Sequence, residues 1–133
     1  MLPRKAILLG SVAVLAVFSA RPLRRALSPG VHDKCVTRTF DARAWSSSPE
    51  DRSPATPRLC MVDDLLRRHA LVGWTRAQVV ALLGRPTETT YFRDYALVYY
   101  LGPEGGLAGV DSKWLLVQVD SSGQVSKRLV ATD

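Results

Sequence analysis

Two cysteines, two histidines and no recognisable nucleophile motif leave this chain little chemistry to perform. No serine stands in Gly-x-Ser-x-Gly, and neither His32 nor His69 has an Asp or Glu at a spacing that predicts a triad. Adjacent carboxylates occur as Asp63-Asp64 and Glu50-Asp51. Neighbours on a helix point about 100° apart, so the first pair does not converge as an acid and base. The first pair reads as a helix cap and the second as solvation of a linker. Glycines crowd the stretch from Gly102 to Ser112, but no Gly-Lys-Ser/Thr follows, and Glu104 and Asp111 would repel an anion. It reads as a hairpin connection rather than a phosphate cradle. There is no Cys-x-x-Cys, and only the two histidines could add ligands, which argues against a metal site. No internal repeat is present. These absences point away from an enzyme and imply no cofactor.

Acidic residues are missing from the first 30 positions, where Arg4, Lys5, Arg21, Arg24 and Arg25 lie. Of the 18 basic residues, the 13 that remain face all 12 acids, so the net charge of +6 belongs almost wholly to the N-terminus. A near-neutral body lacks the clustered basic face that nucleic-acid binding requires. Between the basic residues, Ala6 to Ala20 is an uncharged, apolar run of fifteen residues. It reads as an export element, residues 1–26 forming a signal peptide or a signal anchor. As a helix the run spans roughly 22 Å, short of the roughly 30 Å hydrocarbon core, so cleavage and anchoring both stay open. Arg21, Arg24 and Arg25 after the run oppose outward transfer under the positive-inside rule. The body is expected in the periplasm or another extracytoplasmic space.

Residues 27–58 are rich in Ser, Pro, Arg and Asp and read as a tether that buries little. Within it, Cys35 and Phe40 to Trp45 are the expected docking points, because a lone Trp in a polar linker gains most by lying on the domain; the alternative for the Trp is a partner-binding aromatic. Cys35 and Cys60 predict a disulfide if the body is exported, and two reduced thiols if it is not. The loss of apolar periodicity before Leu59 implies that residues 58–133 fold alone.

From there a first helix is expected over Met61 to His69, with Asp63 and Asp64 in its first turn and Arg67, Arg68 and His69 in its last. His69 reads as a capping cation rather than a catalytic base. The clearest local signal follows. Thr75 and Gln78 form a Thr-x-x-Gln capping box, Trp74 and Val79 have the spacing of a hydrophobic staple, and Val79, Val80, Leu82 and Leu83 form an apolar stripe. Gly84 ends the helix through a left-handed residue and Pro86 prevents its resumption. A helix of about two turns must dock to be stable. Strands are expected over Tyr95 to Leu101, covered on both faces, then Trp114 to Val119 and Val125 to Val130. Ser121-Ser122-Gly123 reads as a hairpin loop, and Lys127 with Arg128 mark a sheet edge.

Gly73, Thr75, Gln78, Val79, Leu82, Leu83, Gly84 and Pro86 resemble the signature of the SmpA/OmlA (BamE-like) family of small envelope lipoproteins. Trp74 stands where that family has Met, and the leader has no cysteine placed for lipid attachment. A second resemblance is to uncharacterised bacterial envelope proteins, through Phe40 to Trp45, Met61 to Leu66 and Asp111 to Leu115; it implies no activity. The resemblance to SmpA/OmlA implies an α+β fold for residues 59–133, two short helices packed on a three-stranded antiparallel sheet, like the repeated unit of β-lactamase inhibitor proteins. It also implies a non-enzymatic module that contacts another envelope protein and supports envelope assembly. The candidate contact residues are Trp74, Tyr91 and Phe92, aromatics at helix-to-strand corners. The alternatives are an inhibitor-like binding module and a thiol-dependent enzyme using Cys35 or Cys60.

Overall fold

Residues 35–105 and 111–133 are described by a computed structural model of the chain. The leader expected over 1–26 and the first part of the tether lie outside these residues. Six elements follow in order: α1 (Ala42–Ser46), α2 (Pro57–Arg68), α3 (Arg76–Leu83), β1 (Leu97–Pro103), β2 (Ser112–Val119) and β3 (Val125–Thr132). The strands form one antiparallel sheet in the order β1-β2-β3, so the class is α+β with helices before sheet, as expected. Among the described residues the helices are three rather than two, because the tether contributes α1. Among the described residues, no helix is long and apolar enough to cross a membrane.

The sheet's two faces are built differently. Leu97, Tyr99 and Leu101 of β1 alternate with Leu115 and Val117 of β2 and Val125 of β3 on the inner face. There they meet Leu59, Met61, Val62 and Leu65 of α2 and Val79 and Leu83 of α3. Strand alternation sends Val98, Trp114 and Leu116 to the outer face, where none of the described helices packs on them. β1 is therefore apolar on both sides, as its continuous sequence predicts.

α3 carries the predicted signals in full. Gln78 donates its backbone N–H to Thr75 Oγ1 at 3.2 Å, and the Thr75 N–H donates to Gln78 Oε1 at 2.8 Å, closing the capping box. Trp74 packs against the core cluster that includes Val79. Val79 and Leu83 are the fully buried pair of the stripe, while Val80 and Leu82 are half-buried. Gly84 ends the helix with φ of 78°, a conformation that favours glycine, although ψ of −165° lies far from the left-handed helical basin.

α2 departs from its expected bounds. It starts at Pro57, capped by Thr56, whose hydroxyl accepts from the Leu59 N–H at 3.0 Å and itself donates to the Leu101 carbonyl. Proline at the first helical position is pre-set for this start. Gly102 has to be glycine there, since a Cβ would lie 2.7 Å from Thr56 Cγ2. The boundary expected at 58/59 thus falls inside a helix, and Asp63 and Asp64 sit at its middle, not in its first turn. Asp64 is buried and holds the incoming chain instead. Its carboxylate accepts from the Phe40 N–H at 2.7 Å and pairs with Arg67 and with Arg68, the latter at 2.9 Å.

Trp45 lies on the domain, as expected of the Phe40 to Trp45 docking point, and with no exposed surface it corrects the expectation that the tether buries little. Its ring meets Phe40 and Tyr99 edge-on at 5.9 and 6.5 Å, and the Arg58 guanidinium stands 5.2 Å from it. Arg58 is 2% exposed. Its Nε donates to the Trp45 carbonyl at 2.8 Å, and its Nη1 to the carbonyls of Tyr100 and Pro49 at 3.3 and 3.5 Å. A buried guanidinium surrounded by carbonyl dipoles is hydrogen-bonded though it has no carboxylate partner among the described residues. Cys35 and Cys60 are joined by a disulfide, Cα atoms 5.3 Å apart, and the Arg38 N–H donates to the Cys60 carbonyl at 2.9 Å.

Candidate functional site

The segment between α3 and β1 crosses from the inner to the outer side of the sheet and carries its aromatic residues with it. Thr87 anchors the crossing at the β1 edge: its N–H donates to the Val98 carbonyl at 2.8 Å, and its hydroxyl accepts from the Tyr100 N–H at 2.9 Å. Further on, the Tyr95 N–H donates to the Phe92 carbonyl, and Gln118 Nε2 on β2 donates to the Asp94 carbonyl at 2.6 Å. Phe92 adopts φ of 56°, which a bulky side chain rarely takes. Strain of this kind persists where the surroundings enforce it and concentrates at functional sites.

What this crossing builds is a nest of rings around Trp114. Tyr91, Phe92 and Tyr100 lie 6.0, 6.1 and 5.1 Å from the Trp114 ring, with Tyr91 and Phe92 6.4 Å apart. Trp114 is 6% exposed and its Nε1–H has no hydrogen-bond acceptor among the described residues, whereas Tyr91 is 55% exposed. A groove of about 350 Å³ opens beside them, walled by Tyr91, Tyr100 and Trp114. Glu50, Glu88, Asp133 and Arg52 supply its charges, and Thr87, Thr89 and Ser112 its hydroxyls. Burial raises the Tyr100 hydroxyl above its ordinary value of 10.0, and the carboxylates of Asp133 and Asp51 push the same way. No histidine or thiol lines the groove. Its surfaces can stack, accept and donate.

Of the residues singled out by sequence, Tyr91 and Phe92 come together on this outer face. Trp74 does not join them. It is half-buried on the inner side, its ring 5.6 Å from that of His69, and its carbonyl accepts from the Val125 N–H at 2.7 Å. His69 ends α2 as its C-cap, and its ring also meets Phe40 edge-on at 5.9 Å. Gly73, with φ of 85°, donates to the Val125 carbonyl, so the Gly73 to Pro86 motif is tied to the start of β3 and to the core. Trp114 and Tyr100 are the site residues that sequence reasoning passed over as strand positions. Their signal was the alternation of Trp114, Leu116 and Gln118 against Leu115, Val117 and Val119, which already separates the two faces.

A second hollow, about 470 Å³, lies between Ser46, Pro49, Arg58 and Leu83. The Arg58 donors in it are spent on backbone carbonyls, and the neighbouring Arg85 and Glu88 pair at 2.6 Å. Both sulfurs sit in the disulfide, and among the described residues no three His, Cys, Asp or Glu side chains gather as metal ligands would. Compared with protein-family models, curated proteins and solved structures, the chain matches none.

Proposed function

We propose that this chain is a non-enzymatic binding module of the cell envelope, working by contact with another envelope protein. The observation that carries the reading is the outer face of the sheet, on which no described helix packs and where an exposed Tyr91 stands over a nest of rings beside an aromatic-walled groove. Aromatic anchors set in a polar rim dominate interface energetics. The disulfide fits an oxidising, extracytoplasmic compartment. The likeness of the Gly73 to Pro86 motif to SmpA/OmlA proteins agrees in kind, and the N-terminal apolar run would deliver or anchor the domain. Trp74 drops out of the proposed contact surface because it packs on the opposite side of the sheet.

A photo-crosslinking phenylalanine analogue at position 91, in cells that make the full chain, tests this directly. A discrete protein adduct is expected from position 91 and not from Ser122, an exposed hairpin residue that does not line the groove. No adduct at 91, or the same adducts from both positions, would overturn the assignment.

A further inference from the structure

We infer that the groove beside Trp114 receives a basic side chain, arginine or lysine, from a polypeptide partner. The inference rests on the protein-binding reading and narrows it to a chemistry. Three aromatic rings, Tyr91, Tyr100 and Trp114, line the groove, and the faces of such rings attract cations. Three carboxylates, Glu50, Glu88 and Asp133, stand around the same space against one guanidinium, Arg52. An anionic ligand would meet a net negative surround, and a purely apolar one would bury carboxylates without a partner. Not every acid is equally free. Asp133 accepts from the Ser112 N–H at 2.7 Å, and Glu88 pairs with Arg85. Carboxylate oxygens accept more than one hydrogen bond, and both members of the Glu88–Arg85 pair are strongly exposed, so that pair exchanges partners at small cost. Among the described residues Glu50 makes no ion pair.

A polypeptide rather than a small cation follows from the protein-binding reading on which the inference rests. The Trp114 ring lines the groove and is more than nine-tenths buried, so its indole N–H reports on occupancy of the groove without being exposed to bulk solvent. The left-handed Phe92, at ring contact with both Tyr91 and Trp114, is the kind of strained support found where a site is held in advance of its ligand.

The test uses the disulfide-bonded full chain and follows the Trp114 indole N–H resonance. The probes are capped Gly-Arg-Gly, the isosteric but neutral Gly-citrulline-Gly, capped Gly-Glu-Gly, and choline. A saturable shift with the arginine peptide is expected, at least tenfold weaker with citrulline and absent with glutamate. Tyr91→Leu, and separately Glu50→Gln with Glu88→Gln, should each weaken the arginine peptide about tenfold. All three positions are exposed, so an unchanged near-ultraviolet circular dichroism spectrum would certify the fold. Equal binding of citrulline, or stronger binding of glutamate, would overturn the inference. Choline binding as tightly as the arginine peptide would reassign the groove to small quaternary amines. An adduct at position 91 together with no arginine-peptide shift would leave a protein contact standing and remove the basic side chain; a shift without an adduct would do the reverse.

Discussion

Asp64 is the residue from which the strap ahead of α2 hangs. Its carboxylate takes the Phe40 N–H on one side and Arg67 and Arg68 on the other, joining chain segments 24 residues apart. The Phe40 N–H, and after it the two guanidiniums, hold the carboxyl below its ordinary value of 3.8, against the opposing effect of burial. A carboxyl with a depressed folded-state value contributes stability that is fully present above its unfolded value. That contribution is lost as pH falls from about 4 through the lowered folded-state value. The urea midpoint of the wild-type chain should therefore fall between pH 6 and pH 3, and Asp64→Asn should be less stable at pH 6 with a smaller acid-induced drop. Asp51 and Asp120 are also held low by nearby donors, so the difference between the two proteins is the measurement. An equal acid-induced drop in both would show that Asp64 does not carry the strap. The pair with Phe40 could not be read from sequence, where Asp63 and Asp64 look equivalent. Helical geometry turns one to the strap and the other to solvent.

At the scale of the element, α3 was the most legible part of the chain because its signals act over three or four residues. The box between Thr75 and Gln78 and the end of the helix at Gly84 fall where the spacing predicts, although Gly84 does not take the left-handed helical conformation expected of it. What spacing left undivided was the stripe, and docking divides it: Leu83 is fully buried and Leu82 is half-buried. Leu83→Ala should cost about 2 to 5 kcal/mol because transfer and cavity terms add. Thr75→Ala, which removes the cap oxygen, should cost about 1 kcal/mol, and Leu82→Ala less than Leu83→Ala. Denaturant melts that rank Leu82→Ala above Leu83→Ala would mean that the helix is rotated from its described seat. The bounds of α2 were less legible. Pro57 lies in the Ser/Pro-rich stretch that reads as tether, and that composition competes with the helix start that a proline after a threonine also signals.

For the whole molecule, the strap from Cys35 to Thr56 is a structural layer rather than a leash. Trp45 fills the space between Arg58 and Tyr99, Thr56 ties α2 to Leu101, and the disulfide closes the segment on α2. A chain of residues 58–133 would leave the Trp45 seat open, a loss comparable to a buried Trp→Ala change of about 3 to 5 kcal/mol. Against a typical domain stability of about 5 to 15 kcal/mol, that is a large share. Residues 35–133 should unfold cooperatively, whereas 58–133 should show a weakened or broad transition in calorimetry. A sharp transition at an unchanged midpoint for the shorter chain would return Trp45 to the status of a docked ornament.

Sequence alone determined the α+β class, the order of helices before a meander of strands, the caps of α3, the edge position of β3 and the cysteine pair, because each depends on short-range spacing, strand alternation or a count. Tertiary structure decided which apolar residues share a face. The strand pairing that sets Tyr100 opposite Trp114, and the crossing that lays Tyr91 and Phe92 over them, joins positions more than a dozen residues apart. Arg58 finds the Tyr100 carbonyl 42 residues away in the same manner. Pattern reports which side of an element is apolar; only the closed fold fixes which of the sheet's two apolar faces packs on the described helices.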